Sequence, residues 1–332
     1  MDMNSYEIVR RAIEFQTPER IPVQFDVFGM NDFHHVKWNL IGVGDKKLPY
    51  TIDEWHCGWQ RTEATNMGQV KFHPLENQFD LDSFAWPDPD DEAFYRGMED
   101  RFAGSEGKYV TTGIFMLLFE RMQALLGFER TLTGLVLERE WMEELAERIV
   151  TFDLGIIRNI STRFPGKIHG FHFTEDWGTQ RGLFIKPSLW EDFFRPYYER
   201  IFASIHNAGW HVWMHSCGKI NSILGSLIEM GVDIIEIQQP HAVGIEEIGT
   251  QFRGKVCFAS LCDIQHTLPF KNEDEIRAEA KQLLEQWSTP EGGFILIDYA
   301  DGNAIEVSIE KKRVMLEAFL NADPWSEHNH KR

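Results

Sequence analysis

The chain has 332 residues, 43% hydrophobic and 26% charged, a globular composition that excludes a disordered or fibrous protein. Asp and Glu total 52 against 33 Lys and Arg, a formal charge of −19, so nucleic acid and anionic membrane surfaces are repelled as partners. Four cysteines (Cys57, Cys217, Cys257, Cys262) are too few for a disulfide framework at this length, and no apolar run of about 18 residues is present to span a membrane.

The opening MDMNSYEIVRRAIEF has no continuous apolar stretch, so no secretory signal is expected and a reducing cytoplasm is the expected compartment. RIPVQFDVF (residues 20–28) then reads as a first strand ending near Asp26. An acidic, proline-bearing stretch, LENQFDLDSFAWPDPDDEAF (75–94), reads as part of a long surface excursion around 29–108, because the strands on either side belong to one sheet. YVTTGIF (109–115) is the next strand. KIHGFHFTEDWG (167–178) is a strand running into a polar loop. WHVWMHSCG (210–218), VDIIEIQQP (232–240), KVCFASLCD (255–263) and GGFILIDYADG (292–302) follow. Helical patterns separate them over 188–209, 220–231 and 273–287, the first expected to open on a Ser cap and close on Gly209.

Alternating strands and helices with near-continuously apolar strands predict parallel βα units buried on both faces. A single (β/α)8 barrel over residues 1–332 accounts for the whole pattern. A doubly wound open sheet is the alternative, although no glycine-rich phosphate loop follows any strand. In either architecture the chemistry gathers at the C-terminal strand ends. There the sequence places Asp26, Glu175, Asp176, Gln180, His215, Cys217, Gln238, Gln239, Cys262, Asp263, Gln265, Asp298 and Tyr299. His215 and Cys217 are one residue apart on a strand and so face the same way. An imidazole and a thiol aimed at one point make part of a zinc site, and the same pair also suits ordinary core packing. Phe171, Phe173, Trp177, Phe184 and Trp190 cluster around the acid pair Glu175–Asp176; most of them are expected in the core, and a mouth lined this way would suit an apolar or aromatic ligand.

The ordered run of TPERIPV, DEWHCGWQRTEATNMGQVKFHPL, AWPDPDD, TEDWGTQRGLFIKPSLWEDFFRPYYERI, HSCGKINSILGSLIEMGVDIIEIQQP and DIQHTLP resembles the uroporphyrinogen decarboxylase superfamily, in particular its corrinoid-linked methyltransferase branch. The resemblance implies a (β/α)8 barrel and a Zn²⁺ held by His215, Cys217 and a later cysteine. FILIDYADGN, where that later cysteine usually stands, has none, which leaves Cys262 for the role, or an oxygen from Glu175 or Asp176. It implies a methyl group moved between a small-molecule donor or thiol acceptor and a corrinoid on a separate carrier protein, since this chain has no D-x-H-x-x-G corrinoid motif. Glu175, Asp176 and Asp263 are the expected catalytic acids, and Asp26, Gln180, Gln239, Tyr299 and Phe184 the expected substrate contacts; the structural alternatives are a helix cap for Glu175 and Asp176, a loop anchor for Asp263, and loop-backbone partners for Gln180 and Gln239. Departures from the pattern are His56 in place of Gly in D-E-W-G, and Lys186 in place of Ser.

Two further readings stay open on the sequence. One is a metal-independent decarboxylase of a porphyrinogen-like or other carboxylated substrate, against which stands the missing arginine-rich segment that would grip carboxylates. The other is a non-catalytic corrinoid- or tetrapyrrole-binding protein. A homodimer is also left open.

Overall fold

The computed structural model describes residues 3–39, 51–60 and 68–326. Among the described residues twelve strands form in chain order: β1 (Val23–Phe25), β2 (Met30–Asn31), β3 (Phe33–His35), β4 (Thr51–Ile52), β5 (Gly58–Gln60), β6 (Gln69–Phe72), β7 (Tyr109–Ile114), β8 (Gly170–Thr174), β9 (His211–His215), β10 (Ile234–Ile237), β11 (Cys257–Ser260) and β12 (Phe294–Ile297). The main sheet runs β2-β1-β12-β11-β10-β9-β8-β7-β3, parallel throughout except for the β1–β2 pair. From β7 to β12, neighbours in space are neighbours in sequence, and β12 then pairs with β1. The order never reverses, as a doubly wound sheet requires. The fold is a (β/α)8 TIM-type barrel.

β10, β11 and β12 are buried on both faces, which is why their sequences are apolar runs rather than alternating ones. Val23, Ile235, Phe258, Phe294 and the rest of the outward-facing row are sealed under helices.

The two ends of the sheet meet at Asp32. Its N–H donates to the Val23 carbonyl (2.8 Å) on one side, and its carbonyl accepts from the Tyr109 N–H (3.0 Å) on the other. Its buried carboxylate takes both guanidinium N–H groups of Arg20 (2.7 and 2.6 Å), the Ser5 hydroxyl (2.6 Å) and the Val23 amide (2.8 Å). Those donors outweigh burial and hold the carboxyl below its usual range.

The expected helix over 188–209 forms as two, Pro187–Phe193 and Arg195–Asn207. Pro196 has no N–H to offer the preceding turn, so the chain restarts its helix there. Pro187 takes the first helical position, and Ser188 lies inside the helix rather than capping it. The helix Glu273–Trp287 has the expected span, with an Asn272–Glu275 capping box. Within the excursion, β4, β5 and β6 form a small antiparallel sheet. Among the described residues no helix is long and apolar enough to cross a membrane.

Asp32→Ala removes the seam's charge partner and leaves Arg20 and the Val23 amide unanswered. We expect a loss of about 2–3 kcal/mol in urea unfolding, the lower range for a broken buried pair because Arg20 is partly solvated. An unfolding curve like that of the wild type would show that the seam does not depend on this carboxylate.

Candidate metal centre

Three adjacent strands build the site. In the β8–β9–β10 register, Thr174 lies beside His215 and His215 beside Glu236. Trp213 and His215 alternate onto the barrel's interior face together. Glu236 is the hub. Its buried carboxylate accepts from His172 Nε2 (3.2 Å), Trp213 Nε1 (2.9 Å), His215 Nδ1 (3.1 Å) and Gln238 Nε2 (2.8 Å). Burial works against its charge, but the His172 and His215 contacts win, and the carboxyl lies well below the usual carboxylate range.

An ionised carboxylate only accepts, so the ring nitrogen of His215 facing it carries the proton. In the neutral imidazole this leaves Nε2 as a lone pair aimed outward. That lone pair meets Cys217 Sγ at 3.4 Å and Asp176 Oδ1 at 3.6 Å. Burial opposes a charge on His215, but the Cys217 and Glu236 contacts raise its proton affinity overall; burial also pushes the Cys217 thiol up.

The loops carrying these groups are interlocked. The Asp176 carboxylate accepts from the Cys217 amide (2.8 Å), and the Gly178 amide donates to the Cys217 carbonyl (3.2 Å). Gly218 sits at φ +77°, and a Cβ there would lie 2.2 Å from the Gly178 carbonyl oxygen. The glycine after H-S-C is therefore required twice, by its backbone angle and by the close approach of the neighbouring loop.

Ligand atoms of Asp176, His215 and Cys217 all lie within 4.8 Å of one another. A tetrahedral zinc with bonds of about 2.0–2.3 Å sets its donor atoms about 3.3–3.6 Å apart. The observed 3.4 and 3.6 Å fit that spacing. A thiolate, an imidazole and a carboxylate are also a donor set that zinc accepts, with a fourth position left over.

The remaining expected site residues fall into different environments. Cys262 does not join the group. It is fully buried, its thiol donating toward the Ile276 carbonyl (3.5 Å) on the helix behind the strand. It lies beyond the end of β11, so its distance from His215 in sequence pattern did not set its direction. Glu175 does not face the mouth either. Its buried carboxylate takes the amides of Leu118, Phe119 and Glu120, capping the helix Phe119–Leu126. Asp263 anchors its own loop by accepting from the amides of His241, Gln265 and His266. Phe171, Phe173, Trp177 and Trp190 are core under the helices, with Trp177 stacked on Phe119 at 4.0 Å, and Phe184 packs edge-on to Phe128 (5.1 Å). These rings fill the layer outside the barrel rather than line its mouth.

Gln180 and Gln239 do meet. Gln180 Nε2 donates to the side-chain oxygens of Gln239 and Gln265 (both 2.9 Å), beside an open depression of about 550 Å³ that Lys219, His241 and Asp263 also border. Asp26 is exposed and accepts from Asn31 Nδ2 (2.6 Å). Tyr299 is half-buried and close enough to Cys217 and His215 for their charges to act on it. Glu120 is a site group the sequence reading missed. Burial and then the Asp176 charge push its carboxyl up to about 7, and its Oε2 has no partner among the described residues. Glu236 was missed as well, although a lone acid inside the buried run VDIIEIQQP was its signal.

Residues 174–320 match the family described as "Uroporphyrinogen decarboxylase (URO-D)". The barrel is uroporphyrinogen decarboxylase-like. The matched span contains Asp176, His215, Cys217 and Glu236. Among solved structures, a "methyltransferase from Methanosarcina mazei" is 12% identical, with 96% of this chain and 98% of that one covered at a TM-score of 0.69. Over part of the barrel there is similarity to native xylanase 10B from Thermotoga maritima, 15% identical, covering 67% and 72% of the two chains at a TM-score of 0.38. No curated protein sequence matches the chain.

Glu236→Gln keeps the shape and removes the charge, and its amide N–H₂ would oppose donors already in place. We expect a stability loss of about 1–3 kcal/mol and, by nitrogen NMR at a pH high enough to leave the imidazole neutral, a mixed His215 tautomer in place of the Nδ1–H form. A single unchanged tautomer in the variant would refute the hub role.

Proposed function

We propose that the protein is a zinc-dependent methyltransferase that moves a methyl group between a small molecule and a corrinoid held by a separate carrier protein. The observation that carries the reading is the convergence of Asp176, His215 and Cys217 at the barrel's strand ends, at separations that suit one tetrahedral ion. The family match and the methyltransferase fold relative support it. In this reading Asp176 takes the place expected of Cys262.

Bound zinc would supply a Lewis acid that activates a thiol acceptor or polarises the leaving group of a methyl donor. The chain's own residues do the rest. Glu236 holds the Nδ1 proton of His215, so Nε2 is the nitrogen left for the metal once the imidazole is neutral. Cys217 must give up its thiol proton to ligate, so loading releases protons and weakens as pH falls. The Asp176 carboxylate uses Oδ1 on the Cys217 amide, which holds both loops in register. Glu120, protonated up to about neutral pH, is placed to give or take a proton beside Asp176. Gln180, Gln239 and Tyr299 offer neutral hydrogen-bonding groups to a small substrate. The mouth at the strand ends is where a carrier protein would bring its corrinoid.

Elemental analysis of the wild type and three variants tests the ligand set. We expect about one zinc per chain in the wild type, loss of the metal in Cys217→Ser, and affinity reduced on the order of 100-fold in Asp176→Asn. Cys262→Ser should keep wild-type loading. Zinc retained in Asp176→Asn and lost in Cys262→Ser would restore the cysteine as third ligand. No zinc bound by the wild type, even on addition, would sink the zinc reading.

A further inference from the structure

A second polar cluster lies away from the metal centre, between the excursion and the helix Arg139–Arg163. Asp53 organises the D-E-W-H-C-G-W segment there. Its Oδ1 accepts from the amides of Trp55 (2.9 Å) and Cys57 (2.8 Å), and its Oδ2 from Trp59 Nε1 (2.8 Å) and Arg121 Nη1 (3.2 Å). Arg121 also donates to the Phe115 carbonyl (3.2 Å) and lies 5.0 Å over the Trp55 ring. Asp53 and Arg121 therefore answer one another.

Two carboxyl groups beside them are not answered. Asp153 is 1% exposed, and its Oδ2 has no hydrogen-bond partner among the described residues. The same holds for Glu54 Oε2. Both groups border a small, partly open cavity of about 70 Å³, whose walls include Trp38, Trp55, Trp59 and Phe115. Burial raises the proton affinity of both carboxyls, so each needs either a proton or a cation. With three acids around one arginine, the cluster is short of positive charge.

We propose that this chamber is a binding site for a small alkylammonium ion, held by N–H donation to Asp153 and Glu54 with its alkyl face against the tryptophan rings. Aromatic faces attract cations, most strongly when desolvated, as here. Two orphan acceptor oxygens call for a ligand with at least two N–H donors, which excludes quaternary ammonium. The size is also selective. An apolar cavity of about 150 Å³ admits benzene, so this one admits only a few heavy atoms. Methylammonium satisfies all three conditions. Inorganic cations lack the apolar face, and neutral isosteres lack the charge. The site shares no residue with the metal centre, so either can fail without the other.

The test is tryptophan fluorescence of the full-length protein titrated with methylammonium chloride at constant ionic strength. Ethanol, potassium chloride and tetramethylammonium chloride are titrated in parallel. We expect a saturable change with methylammonium alone, weakened about tenfold or more in Asp153→Asn, since a charge-assisted hydrogen bond is lost. Glu54→Gln, read in the same way, replaces that variant if Asp153→Asn does not fold by circular dichroism. No saturable change, an equal response to ethanol, potassium or tetramethylammonium, or unaltered affinity in the folded variant would overturn the proposal. In that event the acids carry protons, and Asp153→Asn would leave the melting temperature unchanged or raised.

Discussion

One ionised carboxylate inside the barrel sets the orientation of everything above it. Glu236 stands where a parallel strand is otherwise wholly apolar, and a lone buried acid would be strongly unfavourable. Four donors from β8, β9 and the loop after β10 make it tolerable. The arrangement works in both directions. The donors hold the charge, and the charge holds His215 in one tautomer with its free nitrogen pointing to the strand ends. Replacing the network with hydrocarbon would leave a barrel of similar stability in which the imidazole had no assigned direction.

Above that hub the loops are fixed by backbone rather than by side-chain packing. Cys217 and Asp176 are held together through the Cys217 amide, and Gly178 and Gly218 approach too closely for any Cβ. Glu175 ties the same loop to the start of the helix Phe119–Leu126, which carries Glu120 to the site and Arg121 to the excursion. One helix thus connects the metal centre to the second chamber, although the two share no residue.

The fold was largely legible because its signals are periodic. Apolar strand runs separated by helical patterns predict a parallel sheet wherever they occur, and the order of the strands leaves little else for them to form. His215 and Cys217 were legible because alternation along a strand fixes the direction of a side chain. Cys262 shows where that logic ends: it lies past the last paired residue of β11, and outside a strand the sequence no longer says which way a thiol points. Glu175 and Asp263 show a second limit. An acid at a strand end looks the same in sequence whether it faces a substrate or answers loop amides, because the partners are backbone groups common to every residue. His56 marks the reverse case. It takes φ +63°, the left-handed region that the usual glycine would occupy without strain, and its ring bonds the Ala85 carbonyl (2.9 Å). The departure from the pattern holds a loop in place.

The exchange of a thiolate for Asp176 bears on which half-reaction the proposed centre favours. Either anion would bring a zinc ion with one other thiolate to net neutrality. A carboxylate is the harder donor and returns less electron density to the metal than sulfur does. The ion would keep more of its Lewis acidity at the open position. That suits polarising an oxygen or nitrogen leaving group on a methyl donor better than it suits presenting an electron-rich thiolate to a methylated corrinoid. On the proposed reading, the ligand set favours demethylation of a small molecule, with the carrier protein receiving the methyl group.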